Sequence, residues 1–164
     1  FREDSGRGWR RVVASPLPLQ IVELAQVKAL LAAGFVPIAA GGGGIPVVRR
    51  DDGLAGVAAV IDKDLAAWRL AEGLQAGTLL ILTEVEQAFL HYGKPQQKAL
   101  GEVSAADMRA WLGEGHFAAG SMGPKVEAAL RFVEGGAGRV AVITSLEQSW
   151  AGAQGRAGTI LRSR

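Results

Sequence analysis

The chain has 164 residues, 49% of them hydrophobic and 21% charged, with a formal net charge of +2; that is enough material for one packed domain and unlike a disordered chain. Its charges are mixed, and the basic clusters Arg7, Arg10, Arg11 and Arg49, Arg50 lack interleaved aromatics, so no nucleic-acid partner is expected. The absence of cysteine excludes disulfides and thiolate metal sites, and no apolar run approaches the roughly 18 residues a membrane helix needs.

The charged, glycine-rich start does not read as a secretory signal, and a chain that begins at Phe1 rather than Met reads as either a fragment or a trimmed form. Residues 10–14 read as a short strand closed by Ser15-Pro16-Leu17-Pro18. A helix is expected over about 18–33, with Ile21, Leu24, Val27 and Leu31 on one stripe and Gly34 ending it. Residues 35–40 are continuously apolar, as a buried parallel strand is, although Pro37 removes a ladder donor. Four glycines follow, Gly41 to Gly44, and Asp51-Asp52-Gly53 reads as a turn. An apolar segment, 54–61, leads into Asp62-Lys63-Asp64 and a helix over about 64–75.

Thr78–Thr83 is a second buried strand, and 84–103 reads as irregular, with a turn at Gly93-Lys94-Pro95. Ser104 suits the N-cap of a helix ending near 113. Residues 116–134 form a loop of small residues followed by Pro124, Lys125 and an apolar-periodic helix stopped by Gly135-Gly136. Pro124 suits the first helical position. A strand at 140–144, a helix at 146–153 and a strand at 158–161 complete the chain. The alternation argues for an α/β sandwich with a mostly parallel central sheet, in which ligands bind beyond the carboxyl ends of the strands.

The residues just after those strands are therefore the ones to weigh. The tetraglycine fits either an anion cradle or a plain loop, and neither a dinucleotide fingerprint nor a Walker loop is present. In Asp62-Lys63-Asp64 one aspartate is available to cap the helix and the other to hold a lysine. Lys125 near a helix N-terminus is out of place for the dipole unless an anion also sits there. Glu84 and Glu86 border a ribose or are simply solvated. His91 and His116 have no metal-ligand spacing to a partner, no serine sits in a nucleophile elbow, and Trp9, Trp68, Trp111 and Trp150 read as packing residues.

The strings GRGWRRVV (6–13), AAGGGGIPV (39–47), AVIDKDLA (59–66), LILTEVE (80–86), HYGKPQQKAL (91–100), EGHFAAGSMGPKVEAALRFVE (114–134) and AVITSLE (141–147) together resemble the carbamate kinase family of the amino-acid kinase superfamily. The resemblance implies a three-layer α/β/α sandwich, of which residues 1–164 would be the C-terminal, nucleotide-binding part, about half of the family's length. It implies transfer of a phosphoryl group between ATP and carbamate, giving carbamoyl phosphate and ADP with Mg2+, in arginine catabolism, by a cytoplasmic homodimer. Lys63 and Lys125 match the catalytic cations and Asp64 the aspartate that organises them. Gly42, Gly43 and Gly44 would hold the transferred phosphate or carbamoyl group. Thr83, Glu84, Tyr92 and the loop Ser121, Met122, Gly123, Pro124 would border the nucleotide. Glu84 stands where relatives commonly carry aspartate, and Ala14 where they carry proline. The half outside this chain would bring part of the carbamate pocket and much of the dimer contact. Two other readings stay open: a nucleotide-binding fragment that transfers nothing, and a superfamily relative that phosphorylates another carboxylate.

Overall fold

The computed structural model describes residues 1–3 and 8–163, so Gly6 and Arg7 of the first quoted string and basic cluster lie outside the described residues. Strands β1 (Arg2–Glu3) and β2 (Trp9–Arg10) pair antiparallel. The strand expected over 10–14 is reduced to β2 and an isolated parallel bridge from Ala14 to Ala59. Val12 and Val13 are exposed, and a lone apolar run without a neighbouring strand cannot build a ladder.

Helix α1 (Leu24–Ala32) is shorter at its start than the apolar stripe suggests. Pro16 and Pro18 disfavour helix at the residues before them, and Ile21 instead accepts a turn bond from the Leu24 N–H at 3.3 Å. Its end matches expectation. Gly34 has φ +84°, its N–H donates to Leu31, and the Phe35 N–H donates to Leu30, which together make a Schellman motif.

Residues 35–40 form no strand. Phe35, Val36 and Ile38 are exposed, Ile38 almost completely at 99%. Pro37 withdraws one donor, and no strand of the described residues lies alongside to pair with the rest. Beyond the glycines, β3 (Val47–Arg50) and β4 (Gly53–Gly56) form a hairpin over the expected Asp51-Asp52-Gly53 turn, so part of the apolar 54–61 run belongs to a separate ribbon.

From Asp62 onward the fold changes character. Helix α2 (Lys63–Gly73) is followed by β5 (Thr78–Thr83), a small hairpin of β6 (Phe89–Leu90) and β7 (Lys98–Ala99), and β8 (Glu102–Ser104). The segment read as irregular thus holds three short strands, too brief for an alternation pattern to register. Helix α3 (Ala105–Gly113) starts at the expected cap, where Ser104 Oγ accepts from the Asp107 N–H at 3.1 Å. Helix α4 (Met122–Glu134), β9 (Val140–Ser145), α5 (Ser149–Ala153) and β10 (Thr159–Arg162) complete the chain. α4 begins at Met122, two positions before Pro124. The proline still falls in the first turn, where a missing N–H costs nothing.

The main sheet has the order β5-β9-β10-β8. β5 and β9 run parallel, as do β10 and β8, while β9 and β10 are antiparallel. Alternation along β9 sorts its two faces. Ala141 and Ile143 join the core under α4 with Phe132, Leu130 and Val126, all fully buried. Val142 and Thr144 point the other way, toward Gly152 of α5, where a Cβ would meet the Thr144 methyl at 2.7 Å. Helices therefore cover both faces of a mixed sheet, the α/β/α layering expected.

Candidate active site

The N-termini of α2 and α4 converge beyond the carboxyl ends of the parallel strands β5 and β9. There they border an open cleft of about 590 Å³ lined by Asp62, Lys63, Asp64, Leu82, Thr83, Glu84, Gly120, Ser121, Pro124, Lys125 and Leu146. This is where an α/β sheet binds ligands, and two helix N-termini there favour an anion.

Each acidic residue of the Asp62-Lys63-Asp64 triplet has a distinct task. Asp62 caps α2: its Oδ1 accepts from the Asp64 N–H at 2.8 Å and the Leu65 N–H at 3.1 Å. That leaves Asp64 free of capping duty. It is 7% exposed, and its Oδ2 accepts from Lys125 Nζ at 2.9 Å and from Lys63 Nζ at 3.3 Å. One carboxylate therefore holds ammonium groups from two helices.

The lysines differ in burial, with side chains 56% exposed for Lys63 and 10% for Lys125. Partial burial disfavours the Lys63 charge, but the field and hydrogen bond of Asp64 outweigh it and raise the pKa above 10.5. Lys63 is therefore a firm cation reaching into solvent. Lys125 is clamped, and its early position in α4 is accounted for by the partner carboxylate as well as by any anion.

Among the remaining expected residues, Thr83, Glu84, Ser121 and Pro124 line the cleft. Ser121 precedes α4 without a side-chain cap, so the first amides of that helix receive no hydroxyl from it. Met122 turns inward onto the core. Gly123 is buried, and a Cβ there would sit 3.1 Å from the Ala118 carbonyl, so it shapes the loop from behind. Tyr92 is outside the cleft, exposed and tilted against Phe89 at 5.8 Å. Gly42, Gly43 and Gly44 do not line the cleft either. Gly43 abuts its floor: it has φ +133°, and a Cβ would lie 2.0 Å from the Ile61 carbonyl oxygen, so only glycine permits this approach to the chain entering α2.

Sequence reasoning did not find the apolar jaws of the cleft, Leu82 and Leu146, because exposed leucines carry no motif. It also missed that His91 and His116 meet edge to face at 4.5 Å, since a contact across separate loops leaves no mark in spacing. No cluster of three metal-ligating side chains exists among the described residues. Trp68 is buried in the core with the Arg69 and Arg131 guanidinium groups against its ring at 4.0 and 5.2 Å, a packing role as read, whereas Trp9 and Trp150 are exposed.

A parallel-sheet cleft with no Walker loop and with two lysines sharing an aspartate is the setting in which the family comparison falls. The amino acid kinase family model matches residues 6–144, and the chain belongs to that family. Within it, several of the similar proteins are carbamate kinases. The chain is 52% identical over 159 residues to the carbamate kinase of Clostridium perfringens, covering 97% of this chain and 51% of that protein. It is 52% identical over 157 residues to the carbamate kinase of Thermococcus kodakarensis, covering 96% of this chain and 50% of that one. The solved carbamate kinase of Giardia lamblia bound to AMP-PNP superposes with a TM-score of 0.93 at 45% identity, covering 99% of this chain and 51% of that one. The chain thus spans about half the length of the relatives it matches.

Proposed function

We propose that this chain is the nucleotide-binding, lysine-bearing half of a carbamate kinase, moving a phosphoryl group between ATP and carbamate. The observation that carries the reading is the Lys125–Asp64–Lys63 arrangement at the mouth of the cleft. Phosphoryl transfer asks mainly for positioning and for stabilised charge on the equatorial oxygens. A clamped cation and a solvent-reaching cation, on helices whose N-termini face the same space, provide that without any protein nucleophile. AMP-PNP bound to the Giardia relative supports a nucleotide as ligand.

In this reading Thr83, Glu84, Ser121 and Pro124 border the nucleotide, with Tyr92 reached only by a ligand extending past the cleft. Gly42 to Gly44 border the acceptor side, with the Gly42 and Gly44 backbone N–H groups as its donors, since the Gly43 N–H donates to the Ala40 carbonyl at 2.8 Å. Magnesium suits this donor set as an ion carried by the nucleotide phosphates: Glu84 is the carboxylate of the cleft outside the Asp62 cap and the lysine pair, and a hard cation of this kind takes one or two carboxylates plus phosphate oxygens. Bound there, it would neutralise phosphate charge. A cytoplasmic homodimer working in arginine catabolism completes the proposal for the longer protein.

The test is ATP formation from ADP and carbamoyl phosphate, by this chain alone and by a form completed with the other half of a relative. In the completed form Lys125→Ala and Lys63→Ala are each expected to lower turnover about a hundred- to a thousandfold; near-normal rates in both variants would refute the clamp. The exposed segment 35–40 favours a second reading for the chain alone, nucleotide binding without transfer. ADP binding with no ATP formed would establish it.

A further inference from the structure

The lysines of the chain, Lys28, Lys63, Lys94, Lys98 and Lys125, fall into two sets. Lys28, Lys94 and Lys98 are exposed and have no carboxylate partner among the described residues. Lys63 and Lys125 share Asp64 Oδ2, at 3.3 and 2.9 Å. Burial keeps Lys125 out of reach as well, with its side chain 10% exposed. Lys63, at 56%, is open to anything that enters the cleft. The charged groups around it there are Asp62 and Asp64 on its own helix, Lys125 on α4 and Glu84 after β5.

The proposed reaction carries a chemical hazard for such a residue. Carbamoyl phosphate is a mixed anhydride, and both it and the cyanate it releases carbamoylate amines. The lone pair of an unprotonated amine nitrogen forms a bond to the electrophilic carbon. With carbamoyl phosphate, the C–O bond to phosphate breaks, phosphate leaves with the electron pair, and the nitrogen gives up a proton. With cyanate, reacting as isocyanic acid, an amine proton moves to the donor's nitrogen. Either route leaves a neutral urea where the cation stood. Two helix N-termini that favour anions gather these donors close to the lysines. An ammonium has no lone pair and does not react.

We propose that Asp64 protects the site as well as organising it: its hydrogen bond to the Lys63 ammonium denies carbamoyl donors the lone pair they need, at the most open cation of the cleft. Partial burial works against that charge, and the field and hydrogen bond of Asp64, reinforced by Asp62, outweigh it. The need for protection rests on carbamoyl phosphate as a ligand of the cleft; the protection itself is a property of the chain and is tested without that ligand. The experiment exposes the purified chain to potassium cyanate over a series from about pH 8 to about pH 11.5, spanning the ordinary lysine range. The adduct at each lysine is followed by peptide mass spectrometry, and circular dichroism checks the fold at each pH.

At the lower end of the series Lys63 is expected to react at least about threefold more slowly than Lys94 and Lys98. The lag should shrink as the pH rises past the ordinary lysine value of 10.5. A lag equal at every pH would mean restricted access and overturn the proposal, as would a Lys63 that keeps pace with Lys94 throughout. Asp64→Asn keeps the shape and removes the charge; it should speed Lys63 carbamoylation at least about threefold near pH 8 and leave Lys94 unchanged. A folded Asp64→Asn chain whose Lys63 reacts no faster would also overturn it, and the wild-type pH series decides the matter should that variant not fold. Carbamoyl phosphate then replaces cyanate in the form completed with the other half of a relative. A spared Lys63 with no ATP formed from ADP leaves the protection standing and counts against the proposed reaction. ATP formation with Lys63 modified as fast as Lys94 does the opposite.

Discussion

Residues 1–61 and residues 62–163 have similar access to apolar side chains and use them in opposite ways. In the second region α4 buries Val126, Leu130, Phe132 and Val133 on the sheet formed by β5, β9 and β10. In the first, Val27 is the one large apolar side chain in the buried set among the described residues. Hydrophobic patterning therefore marks where a chain intends to be buried, but burial itself needs a second surface. α4 has its surface within this chain; residues 35–40 do not.

Core substitution gives the largest contrast. Phe132→Ala should cost about 3–5 kcal/mol, as truncation of a fully buried aromatic does, whereas Ile38→Ser should change stability by no more than about 0.5 kcal/mol. Urea unfolding of the two variants reads both; a comparable loss at Ile38 would mean that the first region is packed after all. Next comes the contact at the end of the first region, where the chain enters α2. Gly43→Ala drives a Cβ into the Ile61 carbonyl at 2.0 Å in a backbone conformation with φ +133°, and a cost of about 1–3 kcal/mol is expected. Faster amide exchange at residues 63–66 would show the strain reaching α2, and unchanged exchange there would separate the loop from the helix.

A smaller effect belongs to the α2 cap. Asp62→Ala removes two N–H partners and should cost about 1 kcal/mol, with Asp62→Asn recovering most of it. The smallest is the pH dependence of Lys63. Its folded pKa lies above the ordinary lysine value of 10.5, so the contribution of its pairing with Asp64 is fully present below that value. It is lost as the pH rises through the higher folded pKa. Stability curves of the wild type and Lys63→Gln should run parallel at neutral pH and converge only in that alkaline window; convergence near neutrality would show a depressed pKa.

How far the sequence was legible follows the same division. Thr78–Thr83, the Ser104 cap and the strand at Val140 were readable because each is specified by its own residues: a β-branched and leucine run, a hydroxyl three positions before a waiting N–H. Lys63, Asp64 and Lys125 were found as candidates because charged residues after buried strands are conspicuous. Their sharing of one carboxylate was not visible, since it depends on α2 and α4 lying side by side. Residues 35–40 misled for the opposite reason. The run has the composition of a strand, and composition records the neighbour it was selected against rather than whether that neighbour is there. The β6, β7 and β8 segments failed to register because two or three residues carry no period.

The contact of Gly43 with Ile61 has a mechanical consequence. It brings the loop that follows the exposed 35–40 run against the residue just before Asp62, the cap of the helix bearing Lys63. The helix that carries the solvent-reaching ammonium group of the site is thus met, one residue before its cap, by the loop that follows the least covered part of the chain.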